Sequence, residues 1–98
     1  MENNKREEII SLYDLYYNLL TDKQRDYFEE YYFSDLSISE IAINFDISRN
    51  GVHDQLKRVV ANLYSFEEKL GLLKKIEKIN NLEIDDNIKS EIIDIIKE

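Results

Sequence analysis

Two short runs of apolar residues at helical spacing, joined by a single tight turn, occupy the middle of this 98-residue chain and set what it can fold into. Ser37 followed by Glu40 is a capping box: the hydroxyl accepts from the third helical amide and the carboxylate reaches back to the cap. Ile38, Ile41, Ala42 and Phe45 then recur with the period of a helix and define one apolar face. Ala42 stands where two helices must approach closely. Asp46 falls at the turn, where positive φ is expected and Asp is among the few side chains that tolerate it. Ile47 points back as a core plug, and Ser48 is placed to cap a second helix. Val52, Leu56 and Val59 form the inner stripe of that helix. Residues 37–58 therefore read as a helix-turn-helix.

The outer face of the second helix carries Ser48, Arg49, Asn50, His53, Asp54, Lys57 and Arg58. These are residue types that nucleic-acid recognition uses. Arg pairs with guanine O6 and N7 together, and Asn does the same with adenine N6 and N7. Lys57 and Arg58, further along, suit phosphate oxygens. Gly51 would let the backbone approach a phosphate or base edge. Ser48, Arg49, Asn50, His53, Lys57 and Arg58 are the candidate nucleic-acid contacts; the competing reading is an ordinary solvated helix face. Fold alone does not decide between them.

Charge limits how such a face can work. The chain holds 21 Asp and Glu against 13 Lys and Arg, a formal net charge of −8, the opposite of a generic nucleic-acid binder. Residues 1–36 and 83–98 carry most of the excess; 37–60 is neutral, and 61–82 is slightly basic. Each phosphate neutralised contributes about 0.9 to the log–log salt slope. With few cations on the helix, binding per protomer is expected to be weak, so that useful affinity needs a second protomer, a protein partner or a structured RNA.

Absence of Pro, only two Gly, and abundant Ile, Leu, Glu and Lys favour an all-α chain. A small helical bundle is expected, containing the helix-turn-helix, with a long recognition helix extended toward the C-terminus. The expected division is a helix-turn-helix domain over 1–62 and a helical extension over 63–98. The first helix is predicted from about Lys5 to Leu20. Thr21-Asp22-Lys23-Gln24 is a second capping box, opening a helix to about Phe33. The dense aromatics of both helices fall at core spacing rather than in a base-stacking array; Tyr17 and Tyr32 are the pair whose exposure would argue otherwise. Val52, Leu56, Val59, Leu63, Phe66, Leu70 and Leu73 alternate by four and three, the seam of a coiled coil. That spacing predicts one helix running to about Asn80, with Leu63, Phe66, Leu70 and Leu73 forming a homodimer seam. The alternative partner is a last helix, about Asp86 to Lys97, striped by Ile88, Ile92, Ile95 and Ile96. Gly71 favours that alternative, because Gly can end a helix.

Chemistry of other kinds has little support. His53 is the only histidine and has no companion ligands at metal spacing, so no metal is expected. Without Cys there is no disulfide or thiolate, and no phosphate loop or nucleophile–His–acid arrangement is present. No cofactor and no enzyme activity are expected. The start, Met1 to Glu8, does not read as a signal peptide, and no apolar run approaches a membrane span, so a cytoplasmic protein without membrane contact is expected.

Asn18-Leu19-Leu20-Thr21-Asp22-Lys23-Gln24-Arg25-Asp26-Tyr27-Phe28-Glu29-Glu30-Tyr31-Tyr32, with Asp35 to Ala42 and Phe45 to Asp54, resembles the YlxM-like family of small bacterial proteins. The helix-turn-helix is also similar to the promoter-reading fourth region of sigma factors. The first resemblance implies an all-α protein usually encoded beside signal recognition particle genes, and through that neighbourhood one that assists or regulates the protein-targeting pathway. The second implies contacts at Ser48, Arg49, Asn50, His53 and Lys57. Gly51-Val52-His53 departs from the Ala-Val-Tyr common in the family. Three readings follow: a non-enzymatic nucleic-acid-binding accessory protein, DNA or RNA being undecided; a protein-interaction module docking on particle components; and a simple transcription regulator.

Overall fold

The computed structural model describes residues 2–98. Among them are six α-helices, one short 3-10 turn and no strand: α1 (Glu2–Tyr16), the 3-10 turn Tyr17–Leu19, α2 (Asp22–Tyr32), α3 (Ile38–Phe45), α4 (Arg49–Leu70), α5 (Leu72–Asn80) and α6 (Asp86–Lys97). The all-α bundle and its helix-turn-helix, α3–α4, are as the sequence leads one to expect.

Local chemistry sets the helix ends. Thr21 accepts from Gln24 N at 3.1 Å while Gln24 Oε1 accepts from Thr21 N at 3.0 Å. Ser37 and Glu40 repeat this at 3.1 and 3.0 Å. Replacing Ser37 with Ala removes one half of that box and is expected to cost about 1 kcal/mol in thermal unfolding. Asp46 ends α3 in the left-handed conformation, φ 55°. The first helix ends earlier than the apolar pattern implies: α1 stops at Tyr16 and tightens into the 3-10 turn. The Arg25 guanidinium bonds the Tyr17 and Leu20 carbonyls at 3.1 and 3.0 Å, satisfying acceptors that a continued helix would have used.

Two apolar clusters lie along the body. Tyr27, Ile41, Ala42, Val52 and Leu56 form the interior of the helix-turn-helix, with Tyr31, Leu36, Ile38, Phe45 and Ile47 packed around them. Ile9, Leu12, Tyr13, Tyr16, Leu20, Phe28, Val59 and Leu63 form the other, between α1, α2 and α4. Helix α2 gives Tyr27 to the first and Phe28 to the second, and α4 runs along both, giving Val52 and Leu56 to the first and Val59 and Leu63 to the second. Helix α4 passes residues 62 and 63 without a break.

The expected continuation of this helix to about Asn80 does not form. Gly71 adopts φ 66° and closes α4, and α5 starts at Leu72. Space around Gly71 is open, nothing lying within 4 Å of a Cβ built there, so its role is conformational. Gly71→Ala is therefore expected to lower stability by about 1 kcal/mol through left-handed strain alone, read from the melting midpoint. The seam residues also find a partner other than the two foreseen. Leu63 is fully buried against α1, with Phe66 and Leu73 packed on the same cluster. Only Leu70 of the four is exposed, at 47%. Helix α6 packs on α5 and is tied to α1 by Lys97–Asp14 at 3.0 Å. None of its residues is buried.

Candidate nucleic-acid interface

Side chains at the start of α4 are aimed by the turn before it. Ser48 Oγ accepts from Gly51 N at 3.0 Å, so this hydroxyl is engaged as the cap of α4. Ile47 packs into the helix-turn-helix core, and Ile47 N bonds Ala42 O at 3.1 Å. With Val52 and Leu56 inward, the helical period leaves Arg49, Asn50, His53, Lys57 and Arg58 outward, and all five are exposed. Among the described residues no carboxylate lies within ion-pair distance of Arg49, Lys57 or Arg58. From Arg49 to Lys57 the row extends about 12 Å at ~1.5 Å per residue. Its chemistry is a guanidinium and an amide at the helix start and an ammonium and a guanidinium beyond them, with the exposed Asp54 carboxylate between.

Gly51 lies against the turn that precedes it. A Cβ there would meet Ser48 Oγ at 3.2 Å and Ile47 Cδ1 at 3.4 Å. An alanine fits there if the Ser48 side chain gives by a few tenths of an ångström.

A groove of about 400 Å3 runs beside the row, at the meeting of α1, α2, α3 and α4. His53 and Lys57 line it, joined by Lys5, Tyr31, Tyr32 and Tyr64 over a floor that includes Ile9, Leu56 and Val60. Ser48, Arg49, Asn50 and Arg58 stay outside it. Sequence reasoning did not find Lys5, Tyr31 and Tyr64; they converge only when α1 and α2 fold over α4. Tyr32, singled out for possible exposure, is half-buried, stacked on Phe28 at 4.3 Å between centroids and under the Arg6 guanidinium at 5.0 Å. Burial first of all raises its phenol pKa, and the tyrosine beside it adds to the shift.

A second groove of about 500 Å3, between α1 and α2, has the other polarity. Asp14 and Glu29 line it with Tyr13, Ile10, Tyr17 and Phe33, and the last two are 42% and 53% exposed. The Tyr13 hydroxyl donates to Glu29. Burial, then that hydrogen bond, drives the Tyr13 phenol well above its ordinary value. The other tyrosine singled out for exposure, Tyr17, thus lies in an acid-lined groove away from α4.

Among the described residues no group of three or more His, Asp or Glu gathers as a metal cage, and no helix is long and apolar enough to cross a membrane.

Residues 3–98 match the family described as "Putative helix-turn-helix protein, YlxM / p13 like" (UPF0122). The chain is 57% identical over 70 residues to a UPF0122 protein of Thermoanaerobacter sp. strain X514, covering 71% of this chain and 60% of that protein. A UPF0122 protein of Halalkalibacterium halodurans is 54% identical over 67 residues, 68% of this chain and 62% of the relative. One from Shouchella clausii is 48% identical over 71 residues, 72% and 65% of the two chains. The matched segment thus spans a little over three fifths of these relatives. The match over nearly all of the sequence, together with the capped α3–α4 unit, places this chain in the YlxM / p13-like helix-turn-helix family.

Proposed function

We propose that this chain is a non-enzymatic nucleic-acid-binding accessory or regulatory protein of the cytoplasm, acting in signal-recognition-particle-dependent protein targeting as the family resemblance implies. One observation carries the reading: α4 holds Arg49, Asn50, His53, Lys57 and Arg58 outward and exposed, with Arg49, Lys57 and Arg58 free of carboxylate partners within the described residues. In this reading Arg49 and Asn50 meet base edges, His53 stands between them and the phosphate contacts, and Lys57 and Arg58 take phosphates. The Ser48 hydroxyl positions the helix. Few cations per protomer make a homodimer part of the proposal, since two copies double the phosphate contacts. Sedimentation at micromolar concentration tests that part, and a monomer on and off nucleic acid removes it.

Titration into labelled particle RNA and into the DNA upstream of the chain's own gene, at two salt concentrations, tests the main claim. Lys57→Ala is expected to weaken binding to every sequence and to reduce the salt slope by about 1. Arg49→Ala is expected to cost about 1–3 kcal/mol at its preferred site and to relax preference there. Tight binding unchanged by both substitutions removes α4 from the interface.

The acid-lined groove supports a second reading, a protein-interaction module docking on basic components of the particle. Exposed Tyr17 and Phe33 beside Glu29 suit a Lys or Arg side chain, the role that Lys97 already takes at Asp14. Pull-down with and without nuclease separates the two, since partners retained after nuclease are held by protein contact.

A further inference from the structure

We propose that the groove beside α4 receives an unpaired nucleobase, extruded from a bulge or loop of a folded RNA lying on the α4 face. The inference rests on the reading of that face as a nucleic-acid interface and names the feature of the ligand it selects.

The chain has 21 Asp and Glu among 98 residues, yet none lines this groove, whereas Lys5 and Lys57 do, both exposed, with His53 between the helices. The Arg6 guanidinium over the Tyr32 ring lies outside the lining and is already held by the Tyr32 carbonyl at 2.8 Å and by Asp35 at 3.8 Å, so the positive character rests on Lys5 and Lys57. Glu8 stands at the Tyr64 hydroxyl without joining the lining. An anionic backbone is thus attracted to this part of an otherwise acidic molecule.

The floor is apolar, formed by Ile9, Leu56 and Val60, and Tyr31 and Tyr64 supply aromatic walls. Apolar floor, aromatic walls and a cationic rim are what a base with its phosphate requires, because every base has a stacking face and carries one charge beside it. At about 400 Å3 the groove has the size of a small-ligand cleft. A paired base within a duplex cannot enter, since its faces are held in the stack. Bulged and looped bases are splayed out, and sequence-specific RNA recognition concentrates on them. His53 and Lys57 belong both to the outward row and to the groove, so a backbone lying on the row brings an extruded base to the opening.

The test uses the full chain and three probes: a short RNA stem with one bulged fluorescent adenine analogue, the same stem fully paired, and the bulged stem in DNA. The bulged RNA is expected to bind about tenfold more tightly than the paired stem, with its emission changed on binding. Tyr64→Leu and Tyr31→Leu, each checked for an unchanged circular dichroism spectrum, are expected to abolish that advantage while leaving paired-stem affinity as it was. Lys57→Ala is expected to weaken all three. Equal affinity for bulged and paired RNA, or an advantage that survives both tyrosine substitutions, overturns the proposal. An equal gain from bulged DNA overturns its assignment to RNA. Arg49-dependent binding of the paired stem without bulge preference sinks this inference alone; failure of every probe to bind sinks the α4 reading with it.

Discussion

Leu63→Ala is expected to lower the free energy of unfolding by about 3–5 kcal/mol, followed by circular dichroism in urea. The side chain is 0% exposed and sits in the cluster with Ile9, Leu12, Tyr13, Tyr16 and Val59. Truncation there removes buried methyl groups and leaves a cavity that rigid neighbours fill only in part. Against a total of about 5–15 kcal/mol for a domain of ordinary stability, that is a large fraction. The same experiment separates a core residue from an interface residue. A core contribution does not change with protein concentration, whereas an interface contribution fades on dilution. Leu70→Ala, at the exposed end of the same stripe, is expected to change stability by less than about 0.5 kcal/mol. A tolerated Leu63→Ala with a costly, concentration-dependent Leu70→Ala would show that the stripe faces a second chain and not α1.

That contrast marks what the sequence can and cannot specify. Caps are written locally: Thr21 with Gln24, Ser37 with Glu40, Ser48 before α4, and Asp46 at the left-handed turn all form where residue chemistry within four positions demands them. Apolar periodicity is equally local, and it correctly buries Ile41, Ala42, Val52, Leu56 and Val59. Periodicity does not name the partner of a stripe. A four-three alternation from Val52 to Leu73 fits a coiled-coil seam as well as a helix that packs first on α3 and then on α1. Gly71 is a similar case. In a helix interior Gly costs only about 1 kcal/mol, so its presence does not by itself stop the helix. The outward row on α4 was legible because it follows from the inner stripe by geometry. The neighbouring groove was not, because Lys5, Tyr31 and Tyr64 come from three helices whose packing no local rule supplies.

Glu67→Ala is expected to cost about 2–4 kcal/mol and to free the α5–α6 segment from the body, for a reason equally distant in sequence. Gly71 has no side chain to cap α5. Glu67, one turn earlier, does so instead: Oε1 accepts from Leu73 N at 3.0 Å and Oε2 from Lys74 N at 3.2 Å. The Tyr16 hydroxyl donates to Glu67 Oε1 at 2.6 Å and accepts from Leu72 N at 3.0 Å. Three successive amides at the start of α5 are therefore satisfied by two side chains from α4 and α1. Removing the carboxylate strands two of those amides and the buried phenol, each worth about 1–3 kcal/mol when buried without a partner and less where water reaches it. Tyr16→Phe is expected to cost about 1–2 kcal/mol, and the double variant less than the sum, because both act on one network. Amide hydrogen exchange at Leu72, Leu73 and Lys74 reads the local effect directly. The pH dependence follows from the same bonds. Burial alone would raise the Glu67 pKa, but the bonds from Tyr16, Leu73 and Lys74 outweigh it and hold the carboxyl below its ordinary 4.5. Its stabilisation is thus complete above that ordinary value and is lost as pH falls through the lower folded one. Burial, then the bond to Glu67, pushes the Tyr16 phenol from 10.0 up to about 12, so its share is complete below 10.0 and lost as pH rises through about 12. Exchange protection of the α5 amides that is untouched in Glu67→Ala would remove this cap from the account of how the C-terminal helices are held.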